Sequence, residues 1–146
     1  LTREVQSSLE EIHENIGKIR SIKAQTKEMA KRAVKAGYDR SLMIMAEELG
    51  VKLTEIEEEL IQVKNESSQD PINYPPRLDD QFAYLYSTVN GQDARPTQGC
   101  YDRYQDLKAE YKAYQDRIDK IIAEDVQAFD SAMEDAGVPR VIPTGR

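Results

Sequence analysis

Apolar residues return along this chain at steps of three and four, over separate stretches. In the first, Val5, Leu9, Ile12, Ile16 and Ile19 share one line, and Ile22 and Met29 continue it with a slow drift. That spacing predicts an amphipathic helix from 2 to about 36. The drift has the sense of a seven-residue repeat and favours left-handed supercoiled packing against a neighbour. Ala30, Ala33 and Ala36 narrow the stripe and permit close approach, and Gly37 is placed for a left-handed stop. Asp39 is expected to cap a second helix, from about 40 to 65, with Leu42, Met45, Leu49, Leu53, Ile56, Leu60 and Val63 on its inner face. The stripe holds phase through Gly50, so one helix is expected there. The short link at Gly37 makes the pair an antiparallel hairpin.

The pattern then breaks. "NESSQDPINYPP" packs Ser, Asn, Asp and prolines together, which suits extended chain over 66–74. Pro75 and Pro76 are expected in the first turn of a third helix, 75–90, where a missing N–H costs nothing. Asp79 and Asp80 meet the positive end of its dipole, and Leu78, Phe82, Leu85 and Val89 form its buried face. Thr97 is the expected N-cap of a fourth helix, 98–136, with the stripe Cys100, Tyr104, Leu107, Tyr111, Tyr114, Ile118, Ile121, Ile122, Val126, Phe129 and Met133, ended by Gly137 and Pro139. The expected fold is all-α: a single domain over 1–146, an antiparallel up-down-up-down four-helix bundle whose short third helix follows the extended proline-rich segment.

Composition narrows the class. The chain has 146 residues, 39% hydrophobic and 32% charged, which suits amphipathic helices around a narrow core. Its formal net charge of −7 disfavours non-specific attraction to nucleic acid or anionic lipid, and no apolar run is long enough to insert in a membrane. Cys100 is the single cysteine, so no internal disulfide forms. Helical pattern starts almost at Leu1, and the chain is expected to be the C-terminal piece of a longer one.

No set of residues completes a catalytic or metal constellation. His13, the only histidine, has Glu10 three residues before it, the spacing used in di-iron bundles. Those sites need two such pairs and further glutamates, so the expectation is a solvated histidine and no metal or other cofactor. Cys100 near a helix start has no histidine partner in sequence, and no phosphate-binding glycine loop occurs. Lys18, Arg20, Lys23, Lys27, Lys31, Arg32 and Lys35 make the second half of helix one basic, but no aromatic is interleaved to stack bases. Tyr101, Tyr104, Tyr111 and Tyr114 fall on one arc of helix four. They offer a ligand face for sugar or peptide, or else bury their rings in a narrow bundle with the hydroxyls reaching out. Met43, Ile44, Val51 and Ile61 lie off the main stripe of helix two, about 100° to 200° round from Leu42. They are the candidate interface residues, facing either a covering element or a partner.

The stretch "SSQDPINYPPRLDDQFAYLYSTVNGQDARPT" (67–97), followed by a long helix ending in "AGVPRV", resembles the C-terminal helical region of large bacterial sortilin-like proteins with BNR-type β-propeller repeats, often labelled glycosyl hydrolases. The resemblance covers about 40–141 and rests most on Asn73, Pro75, Pro76 and Leu78, then Ala94, Pro96 and Thr97. It implies export from the cytoplasm, to the periplasm or beyond, and a propeller N-terminal to Leu1. It carries no catalytic residue onto these positions. The expected function is therefore a non-catalytic accessory domain that packs on, braces or dimerises that propeller. The alternatives are a carbohydrate- or peptide-binding module using the tyrosine arc, or a free-standing helical adaptor.

Overall fold

Helix α1 spans Thr2–Lys35 and α2 spans Ser41–Leu60 in the computed structural model. The link between them is built as the alanine-narrowed stripe and Gly37 suggest. Gly37 takes φ +97°, and the amide of Tyr38 reaches back to Ala33 O at 3.0 Å while that of Gly37 reaches Val34 O at 3.1 Å. This is a Schellman stop, which a β-carbon would strain. Asp39 Oδ1 then accepts the Ser41 amide at 2.9 Å, giving α2 its start. The structure describes residues 1–61, 76–91 and 94–139. The expected extended segment 66–74, the last residues expected of helix two and the place of Pro75 lie outside the described residues.

Helix α3 spans Leu78–Asn90, shorter than its neighbours as expected. Its start differs from expectation by a few residues. Pro76 stands before the helix, not in its first turn, and Arg77 is the extended N-cap with φ −95° and ψ −175°. Asp80 fixes this start: its Oδ2 accepts the Arg77 amide at 3.4 Å, the reaching-back half of a capping box. Helix α4 spans Gln98–Lys120, begun by Thr97, whose Oγ1 accepts the Cys100 amide at 3.4 Å. A π-helical segment, Ile121–Val126, follows without a break in helical dihedrals and leads into α5, Gln127–Asp135. The single helix expected over 98–136 thus contains one wider turn, at the adjacent isoleucines 121 and 122. Its end repeats the end of α1, with Gly137 at φ +79° and the Val138 amide on Met133 O at 3.0 Å.

The described residues are all-α, and they divide into two compact units. The first joins Leu1–Gly17 to the described part of Glu55–Asp116, the second Lys18–Thr54 to the described part of Arg117–Arg146.

In the first unit the start of α1, α3 and the first turns of α4 enclose Val5, Ile12, Ile16, Leu78, Phe82, Leu85, Tyr104, Leu107 and Tyr111, joined by Ile56 and Leu60 from the end of α2. Phe82 meets the Tyr104 ring edge-on, 6.5 Å between centroids at 75°. Directions here depart from the expected alternation. Ser8 bonds Tyr104 and Asn15 bonds Tyr111, so a step of seven on α1 is matched by a step of seven the same way on α4. These stretches run parallel, whereas an up-down-up-down order makes the first and fourth helices antiparallel. The short α3 forms the return leg beside α4, with Gln81 on Arg103 and Thr88 across from Thr97.

In the second unit the core is built from small and flexible side chains: Ala30 and Ala33 of α1, Leu42 and Ala46 of α2, and Phe129 and Met133 of α5. Tyr38, Met43, Met45, Ala132 and Val138 pack against it. Alanines on facing helices let backbones approach, and the bulk is supplied by Phe129, 1% exposed. Here α2 runs antiparallel to the helix that carries Phe129, with Lys52 on Asp125 at 2.9 Å toward one end and Leu42 with Met133 toward the other.

Candidate functional site

The outward side of α2 in the second unit is the first candidate. Leu42, Ala46, Leu49 and Leu53 point inward, so helical geometry turns Ile44, Glu47, Glu48 and Val51 the other way. Ile44 is 56% exposed and Val51 59%. They lie a heptad apart, roughly 10 Å along the axis. The two glutamates between them are exposed as well. Of the four expected interface residues these two alone share an open face. Met43 is half-buried and packs on the second unit's core, and Ile61, half-buried, belongs to the first unit. The separation has a simple cause. Met43 is one residue, about 100° of turn, round from Leu42 and still packs against the second unit's core, whereas Ile44 is turned a further 100° or so away. Beside this face, Asp125 holds the Lys52 ammonium above its ordinary value, first by its hydrogen bond and then by its charge.

The tyrosine arc is the second candidate, and the structure divides it. Tyr104 and Tyr111 are each 4% exposed, with their rings in the first unit's core. Tyr104 OH lies 3.5 Å from Ser8 Oγ, and Tyr111 OH accepts from Asn15 Nδ2. Lys108 Nζ sits 5.8 Å from the Tyr104 ring centroid. Tyr101 is 39% exposed and Tyr114 half-buried. The four tyrosines therefore do not present one open stacking surface. Ser8 and Asn15 escaped sequence reasoning; the available signal was their heptad spacing on the inner edge of α1. A polar groove of about 460 Å³ runs over this ladder, lined by Arg3, Glu4, Glu11, Lys108 and Lys112 among others. Its charges are of both signs, and Lys112 is already on Asp116 at 3.2 Å.

His13 is exposed, and its Nε2 lies 3.7 Å from Asp79 Oδ2, too long for a hydrogen bond. Burial first, and the nearby Asp80 charge second, push the Asp79 carboxyl above the ordinary aspartate value, against the pull of the Asp80 amide and His13. Asp79 Oδ1 and Arg77 Nε are buried with no hydrogen-bond partner among the described residues, and Arg77 Nη1 is 3.8 Å from Glu59. Among the described residues no group of three or more His, Cys, Asp or Glu side chains is arranged to hold a metal ion. Cys100 is buried, with the Thr97 hydroxyl 3.4 Å from its sulfur. It borders an apolar groove of about 620 Å³ between α3 and α4, whose other walls include Leu85 and the 77%-exposed Tyr84. Among the described residues no helix is long and apolar enough to cross a membrane.

No family model, no curated protein and no solved structure matches the chain.

Proposed function

We propose that this chain is a non-catalytic helical interaction module that docks through the outward face of α2. The observation that carries this is the pair Ile44 and Val51, both more than half exposed on one line of a well-packed helix. Each branched aliphatic side chain, fully covered, contributes roughly 1.5–3 kcal/mol relative to exposure. Scattered exposed apolar residues are common on protein surfaces. Two at heptad spacing on one helix form a stripe of the kind a partner helix or sheet covers. Among the described residues, several of the other candidate side chains have partners within the chain. Tyr104 and Tyr111 are bonded to α1, Cys100 is buried beside Thr97, and His13 faces a single carboxylate. If the chain belongs with the sortilin-like proteins it resembles, the module would brace or dimerise an exported propeller-bearing protein.

The test compares the full natural chain with its I44K/V51K variant, drawn from the cell that makes it and sized by sedimentation under native conditions. The expected result is a wild-type species heavier than the chain alone, and a variant at the chain's own mass with unchanged helical circular dichroism. Equal sedimentation of the two, or an unfolded variant, overturns the proposal.

A further inference from the structure

We infer that the partner covering the outward face of α2 is a second copy of this chain, received on the basic side of α1; this rests on the docking role just proposed. The donor face is acidic as well as apolar, with Glu47 and Glu48 between Ile44 and Val51. The chain carries a matching face in the same unit. Ala24, Lys27, Lys31 and Lys35 follow one another at steps of three and four on α1, and all are exposed. The acid on this side, Glu28, is already held by Arg32, Nε to Oε1 at 3.0 Å. Among the described residues, Lys27, Lys31, Lys35 and Glu47 are held in no ion pair or hydrogen bond, while Glu48 feels the charge of Lys52, itself bonded to Asp125.

The side chains of the two surfaces suit one another as well as their charges. Ala24 is a low point between long side chains, and lysine stems offer methylene surface while their ammonium groups stay in water. Ile44 and Val51 can lie against those stems with Glu47 and Glu48 among the ammonium groups. Because both faces belong to one chain, a two-fold pair makes the contact twice, the α2 face of each copy on the α1 face of the other. Like charges oppose the competing arrangement, α2 on α2, which would set Glu47 and Glu48 against themselves. The contact is therefore selective for one pairing, and its strength falls as salt rises.

Charge reversal in two separate chains tests this. E47K/E48K alone places lysine against lysine in every contact of a pair, and K27E/K31E alone places glutamate against glutamate. Mixed together, the two variants restore opposite charges at both contacts. Purified full chains are measured by sedimentation equilibrium, with helicity followed by circular dichroism. The expected result is two-copy mass for the wild type, one-copy mass for each variant alone, and a one-to-one two-copy species on mixing. A wild type at one-copy mass at every concentration overturns the inference, as does association indifferent to either reversal. Failure of the mixed variants to pair while both stay folded also overturns it. In each of those outcomes, a size difference in cell extract between wild type and I44K/V51K would leave the docking role standing with another partner.

Discussion

The two units solve the same problem, packing helices around a narrow core, with different side chains. The first uses large amphipathic rings. Tyr104 and Tyr111 are buried, Tyr104 edge-on to Phe82, and both are tied by their hydroxyls to Ser8 and Asn15. The second uses alanines, with Phe129 and Met133 filling between them. A tyrosine core fixes register through directed bonds, because each hydroxyl must meet its partner. An alanine core fixes distance between backbones and tolerates little added volume. The surfaces differ in turn. The first unit draws Tyr104 and Tyr111 inward while Tyr84 and Tyr101 stay exposed, whereas the second leaves aliphatic side chains outside, on α2, beside exposed glutamates.

Substitutions at matched places should break this contrast in different ways. Ala33→Leu in the second unit adds volume where a helix approaches its neighbour, and is expected to cost about 1–3 kcal/mol by overpacking. In the first unit Tyr111→Phe keeps the ring and removes the hydroxyl that Asn15 bonds, for about 0.5–1.5 kcal/mol. Denaturant midpoints of the two variants measure the difference. A larger loss at Tyr111 than at Ala33 would reverse the assignment of which unit depends on volume and which on polar ties.

A smaller effect concerns pH and belongs to the first unit alone. The folded chain holds the Asp79 proton more tightly than the unfolded chain, chiefly because the carboxyl is buried. The folded state therefore binds more protons between the ordinary aspartate value and the raised one. Through that window this group's contribution to stability falls as pH rises, and it returns on acidification. Asp79→Asn removes the titration and is expected to flatten the stability profile there. An unchanged profile would mean that His13 and the Asp80 amide fully offset the burial.

Much of this was legible in the residue pattern because helices are written locally. The stripe of α1, except at Met29, which is 38% exposed, the stripes of α2 and α3, the left-handed stops at Gly37 and Gly137 and the caps at Asp39 and Thr97 each depend on neighbours a few positions away. What depended on distant partners was not legible. The parallel course of α1 and α4 in the first unit is set by which side chains meet across 96 positions, as Ser8 does with Tyr104. The tyrosine arc divides for the same reason, since spacing places a ring on a face without saying what covers that face. The π turn at Ile121–Val126 had a trace in two adjacent isoleucines on one stripe, but an ordinary helix with a broad apolar face carries the same trace. Met43 and Ile44 adjoin in sequence and part in space, because one residue is about 100° of turn.

The most direct measurement is photo-crosslinking from both units in the cell that makes the protein. A photoreactive phenylalanine analogue is placed at Ile44 in one full-length chain and at Tyr101, the exposed member of the tyrosine arc, in another. Adducts are identified by mass spectrometry. The expected result is a discrete protein adduct from position 44 and none from position 101. An adduct from position 101 with none from position 44 would contradict it.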